Sequence, residues 1–104
     1  MKIVKVTYTT VPEFAAQNSA NIKTVMADLQ QLNHPGIFYH TCICPDGKSF
    51  IHTAFLKSDA EQKMLNELPS FIIFQQQLKA AGFEEAPKQE LLELVGSSRN
   101  IFNT

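Results

Sequence analysis

One short segment, Cys44-Pro45-Asp46-Gly47-Lys48, constrains this chain more than any other, because it turns the middle of the sequence back on itself. Pro-Asp-Gly after an apolar run suits a type I turn, with proline presetting φ and glycine taking the left-handed position. A three-residue loop here pairs Cys44 with Lys48. The same register sets His40 opposite His52, Cys42 opposite Phe50 and Phe38 opposite Ala54. Two histidines and a thiol then share one strand face among aromatic residues. A slip of one residue would exchange the faces of one strand relative to the other.

Around this hairpin the elements follow in a simple order. Residues 2–10 are rich in β-branched types and read as a first strand, with Val4, Val6 and Tyr8 on one face. Pro12 suits a first helical turn, and Phe14, Ile22, Val25, Leu29 and Leu32 recur at helical spacing, with Asn18 on the same stripe. Asn33-His34-Pro35-Gly36 stops that helix. Strands over 37–44 and 48–56 flank the turn. Ser58-Asp59-Ala60-Glu61 has the form of a capping box opening a second helical region. Pro69 restarts that region, Phe71, Phe74, Gln75 and Leu78 form its stripe, and Ala81-Gly82 ends it. Residues 83–87 read as a loop and 88–96 as a last strand, with Leu92 and Leu94 on one face.

The order β-α-β-β-α-β is the ferredoxin-like arrangement, an α+β fold with two helices on one face of a four-stranded antiparallel sheet. With 104 residues the chain is read as a single domain, 1–104. Helices cover one sheet face only, yet both faces of the two central strands are largely apolar. An uncovered apolar face has to be buried, and a second copy of the chain is the simplest cover. The expected partner is therefore the chain itself, in a homodimer with sheets packed face to face. Ile72 and Ile73 add apolar surface beside the second helical stripe, which implies packing on two sides or a share in the dimer contact.

The formal net charge of −1 and scattered basic residues give no reason to expect nucleic acid. No apolar run approaches the roughly 20 residues of a membrane span, and the N-terminal segment lacks the pattern of a signal peptide. Cys42 and Cys44 lie one residue apart on a strand, with Cα atoms about 6.5–7 Å apart and parallel Cβ vectors. Free thiols in a cytoplasmic protein are the expectation.

Three segments resemble the dimeric α/β barrel superfamily, in particular the antibiotic-biosynthesis-monooxygenase-like proteins. They are Val6-Thr7-Tyr8-Thr9-Thr10-Val11-Pro12-Glu13, Phe50-Ile51-His52-Thr53-Ala54-Phe55-Leu56-Lys57-Ser58-Asp59 and Asn66-Glu67-Leu68-Pro69-Ser70-Phe71-Ile72-Ile73-Phe74. The resemblance implies a dimer formed through the sheets and a pocket between sheet and helices in each subunit. It further implies oxidation of a small aromatic or quinol-type molecule without metal or flavin, so no cofactor is expected. The chain departs from the family in having Leu56 where many members have tryptophan. Gln75 stands where haem-degrading members carry an iron-ligating histidine, and no asparagine lies near Val6, so haem degradation is not expected.

The face that this alignment turns toward the helices carries Val4, Val6, Tyr8, Phe38, His40, Cys42, Phe50, His52, Ala54 and Leu56. It would floor a pocket closed by Phe14, Asn18, Phe71, Phe74 and Gln75. Within it His52 or His40 is the candidate base, since imidazole titrates near neutrality. Tyr8 and Asn18 are candidates to orient a substrate oxygen. The plainer alternative is that both histidines are cross-strand residues satisfied inside the protein. His40, His52 and Cys42 offer three metal ligands, but at no recognised spacing, so no metal site is expected. Two classes of function thus stand side by side. One is a cofactor-independent monooxygenase with a histidine base; the other is a non-catalytic dimeric module for a small apolar ligand or a structural role. A cavity beside His52 distinguishes them.

Overall fold

The computed structural model describes residues 1–102; of the expected domain, 103 and 104 lie outside the described residues. The elements are β1 (Lys2–Thr10), a short 3-10 turn (Pro12–Phe14), α1 (Ala15–Leu32), β2 (Ile37–Ile43), β3 (Ser49–Leu56), α2 (Asp59–Glu67), α3 (Pro69–Ala81) and β4 (Phe83–Leu92). The sheet runs β2-β3-β1-β4 with every neighbour antiparallel, which is the ferredoxin-like topology expected from the element order.

Local chemistry explains most boundaries. Asn33 ends α1 in the left-handed conformation at φ 48°, a geometry asparagine tolerates better than most residues. Ser58 caps α2 by accepting from the Ala60 amide at 3.2 Å, while its hydroxyl donates to Glu61 at 2.7 Å. Leu68 is extended, and Pro69 then opens α3 at a position where its missing N–H costs nothing. Gly36 has no room for a side chain, because a Cβ there would lie 2.9 Å from the Glu61 side chain.

The central hairpin differs from its expected register. Gly47 takes the left-handed conformation, as the turn requires, but Lys48 stays in the loop instead of pairing with Cys44. Asp46 is the reason: its Oδ1 accepts from the amides of Lys48 (2.9 Å) and Ser49 (2.8 Å), and its Oδ2 accepts from the Ser49 hydroxyl. The Cys44 amide accordingly donates to the Ser49 carbonyl at 2.8 Å. Every pair moves by one residue. Thr41 now faces His52, His40 faces Thr53, Cys42 faces Ile51 and Phe38 faces Phe55. Because side chains alternate with period two, the shift turns Tyr39, Thr41 and Ile43 toward the helices, and Phe38, His40 and Cys42 away from them.

The last strand also differs. Phe83–Pro87 is not a loop; β4 begins at Phe83 and ends at Leu92, so Leu94 lies beyond it. Ala86 and Pro87 sit where the register with β1 jumps between Thr7–Lys88 and Thr9–Glu85. A bulge on an edge strand admits proline, since no ladder bond is required of it.

The core lies between one sheet face and the helices. Tyr8, Phe50, Ala54 and Leu56 from the sheet pack with Ile22 and Val25 of α1, Leu65 of α2 and Phe71, Phe74 and Leu78 of α3. On the opposite face Phe38 is 49% exposed and stacks on Phe55 at 5.5 Å, with His40 edge-on to Phe38. No helix among the described residues is long and apolar enough to cross a membrane.

Candidate active site

Three strands and two helices converge on His52, which β3 turns inward and which is only 5% exposed. Both ring nitrogens are engaged. Nε2 lies 2.7 Å from the Tyr8 hydroxyl of β1, and Nδ1 lies 2.5 Å from the Tyr39 hydroxyl and 3.0 Å from that of Thr41, both on β2. Asn18 of α1, fully buried, donates from Nδ2 to the Tyr8 oxygen at 2.9 Å. With Asn18 donating to it, the Tyr8 oxygen can give its own proton to Nε2, an arrangement that puts the ring proton on Nδ1, facing Tyr39 and Thr41. Asn18 Oδ1 has no partner among the described residues.

The electrostatics are those of a neutral, buried cluster. Burial lowers the His52 pKa to about 4 and raises the Tyr8 and Tyr39 phenols above their ordinary values, although hydrogen bonds from Asn18 and Thr41 pull the other way. At neutral pH the cluster therefore carries no charge.

This depression makes stability depend on pH. The folded state refuses a proton that the unfolded chain accepts below its ordinary value of 6.5, so stability present above that pH is lost as pH falls toward about 4. Linkage puts the loss at about 2 kcal/mol between pH 7 and pH 5. Urea unfolding at the two pH values measures it directly, and H52Q should lack this component. Equal stability of the wild type at both would mean that His52 protonates as readily folded as unfolded.

Beside His52 lies a cavity of about 440 Å³, opening between α3 and β4. Val6, Phe71, Phe74, Leu78 and Phe83 supply its apolar walls, Tyr8, Tyr39 and His52 its hydroxyl–imidazole floor, and Gln75, Lys79 and Gln89 its polar border. A smaller space of about 130 Å³ adjoins it, sharing Tyr39, His52 and Phe71 and bordered by Leu56, Gln62 and Asn66. Phe74 packs on His52 at 5.4 Å between ring centroids and Phe71 on Tyr39 at 6.2 Å, so α3 supplies the aromatic wall.

Of the residues proposed from sequence, Tyr8, His52, Phe71, Phe74 and Gln75 line the main cavity and Leu56 the smaller one. Asn18 stands behind Tyr8, and Phe50 stacks on the Tyr8 ring at 5.6 Å. Phe14 packs at the edge of the core, outside the cavity wall. His40, Phe38 and Cys42 do not join them, because the register shift puts all three on the other sheet face. His40, His52 and Cys42 therefore cannot share a metal, and no group of three or more potential ligands occurs among the described residues. Sequence reasoning missed Tyr39 and Thr41, which the same shift brought to His52. The signal for them was Asp46 followed by Ser49, a pair able to hold Lys48 inside the turn.

No protein-family model matches the chain, and no curated protein does. Solved structures do. An antibiotic biosynthesis monooxygenase aligns over 92% of this chain and 100% of its own, with a TM-score of 0.73 at 11% identity. A mutant of SnoaB, a cofactor-independent oxygenase from Streptomyces nogalater, aligns over 95% of this chain and 98% of its own, with a TM-score of 0.67 at 15% identity. Rv0793 from Mycobacterium tuberculosis aligns over 94% and 98%, with a TM-score of 0.76 at 11% identity. Identities this low speak for architecture, and the architecture matches over more than nine tenths of the chain. The chain has the same ferredoxin-like fold as these solved structures, an antibiotic biosynthesis monooxygenase and a cofactor-independent oxygenase among them.

Proposed function

We propose that this protein is a cofactor-independent monooxygenase-like enzyme acting on a small aromatic or quinol-type molecule in the cavity above His52. The observation that carries the reading is the Tyr8–His52–Tyr39 chain at the floor of an aromatic-walled cavity. The Tyr8 oxygen accepts from Asn18 and keeps a second lone pair for a substrate O–H. As that proton arrives, the Tyr8 proton passes to Nε2, leaving a substrate anion beside an imidazolium. The new anion offsets the burial that otherwise keeps His52 neutral, because an opposite charge within about 4–6 Å favours the charged form. Tyr39, which accepts from Nδ1–H, retains its own proton to donate to the developing oxyanion. The electron-rich anion then reacts with dioxygen. One oxygen atom enters the ring and the other leaves as water, so 1,4-dihydroxynaphthalene would give 2-hydroxy-1,4-naphthoquinone.

Oxygen uptake with 1,4-dihydroxynaphthalene, corrected for uncatalysed oxidation, tests this reading together with product identity. Acceleration by the wild type and its loss in H52Q are expected. A wild-type rate equal to that of protein-free solution would sink the reading.

One observation favours the competing role of a non-catalytic dimeric module for a small apolar ligand: both His52 nitrogens already have partners inside the protein. Binding of the same naphthalene without turnover is its signature.

The self-association belongs to the same proposal. Phe38, Phe55, Ile51 and Leu92 leave an apolar face on the sheet opposite the helices, and a second copy covers it. Sedimentation at micromolar concentration should give a dimer, and F38D should give a monomer. A wild-type monomer would exclude the arrangement. The free thiols Cys42 and Cys44 suit the reducing cytoplasm, which we assign as the location.

A further inference from the structure

We infer that Lys79 makes this cavity selective for aromatic ligands carrying a carboxylate at the end remote from Tyr39. The inference rests on the reading of the cavity as a ligand site, and it concerns which ligands enter.

Phe71, Gln75 and Lys79 recur every four residues along α3 and all border the cavity. Phe71 packs on Tyr39 at one end, so the cavity has a polarity along the helix. Eight residues at helical rise separate Phe71 from Lys79 by about 12 Å. That span fits a fused bicyclic ring with substituents at both ends. A phenolic oxygen at the Tyr39 end then leaves the opposite substituent beside the ammonium group.

The charge pattern says what that substituent is. With His52 neutral, Lys79 is the only charged side chain lining the cavity among the described residues, and no carboxylate lines it. Lys48 is engaged by Glu84 at 2.6 Å and Lys63 approaches Glu67 at 3.9 Å, whereas Lys79 has no such partner among the described residues. Lys79 is exposed at the cavity border, so its attraction for an anion is that of a solvent-facing cation and modest in size. Lys79 also sits in the last turn of α3, where it complements the helix dipole. That role affects stability and leaves ligand preference untouched, so binding separates the two.

Calorimetric titration with 6-hydroxy-2-naphthoate and with neutral 2-naphthol provides the test. The wild type should bind the acid more tightly than the naphthol. K79M should weaken the acid about threefold to fivefold and leave 2-naphthol within about twofold, while K79R should keep the preference. Equal wild-type affinities, or an acid preference that survives in K79M, would overturn the inference and leave the ligand cavity standing. Failure of both probes to bind the wild type would overturn the cavity reading and the inference with it.

Discussion

Truncating Phe50 to alanine is expected to cost about 3–5 kcal/mol of stability, the range for removing a large aromatic ring from a packed core. Phe50 is 2% exposed and stacks on Tyr8 at 5.6 Å, with the helices closing over it. Its loss removes apolar burial and leaves space that β3 cannot collapse to fill, because Ser49 and Ile51 on either side are held in the ladder with β1 and β2. For a domain of this size the melting temperature should fall by more than about 12 °C. Thermal and urea unfolding provide the measurement, and a loss below about 1 kcal/mol would mean that the core does not rest on this ring. The substitution also releases one side of the Tyr8 ring, so the hydrogen bond to His52 should loosen even at temperatures where the fold survives.

The second large effect concerns turnover. H52Q should lower the rate of 1,4-dihydroxynaphthalene oxidation by about 10²-fold or more, the usual contribution of a positioned general base. Y8F should be of similar size, since it removes the oxygen that links substrate and imidazole and leaves the Asn18 N–H unpaired. Y39F removes the proton offered to the oxyanion and belongs to the range of about 10²–10³-fold seen for such donors. Because Tyr8 and His52 act as one unit, the double variant should be little worse than either single one. Multiplicative losses would mean that the two residues do not share a proton path. Unchanged turnover in H52Q would reduce His52 to a structural residue with its nitrogens satisfied.

Much of the architecture was legible along the chain. Strand one, the stop at Asn33, the Ser58 cap and the restart at Pro69 all fall where local chemistry puts them. Each depends on a backbone preference or a cap within four residues, which the chain carries with it. The start of β4 was hidden because Glu84-Glu85-Ala86-Pro87 does not alternate, and an edge strand facing solvent has no need to. The hairpin register was hidden for another reason. With both faces of β2 and β3 apolar, neither register exposes more hydrophobic surface than the other, so the binary pattern has no preference. Three hydrogen bonds to Asp46 make the choice instead.

The site divides along the same line. That His52 of β3 and Tyr8 of β1 face inward came from the family resemblance, whereas sequence alone determined a ferredoxin-like sheet with one helical layer and the aromatic stripe of α3. These follow from periodicity and element order, which any packing of this chain must respect. Only the tertiary structure decided which neighbours β2 gives to His52. A single extra residue in the turn exchanged His40 for Tyr39 and Thr41, because side chains alternate along a strand and the loop length sets the phase. The site therefore holds one histidine between two tyrosines, and the second histidine belongs to the open face of the sheet.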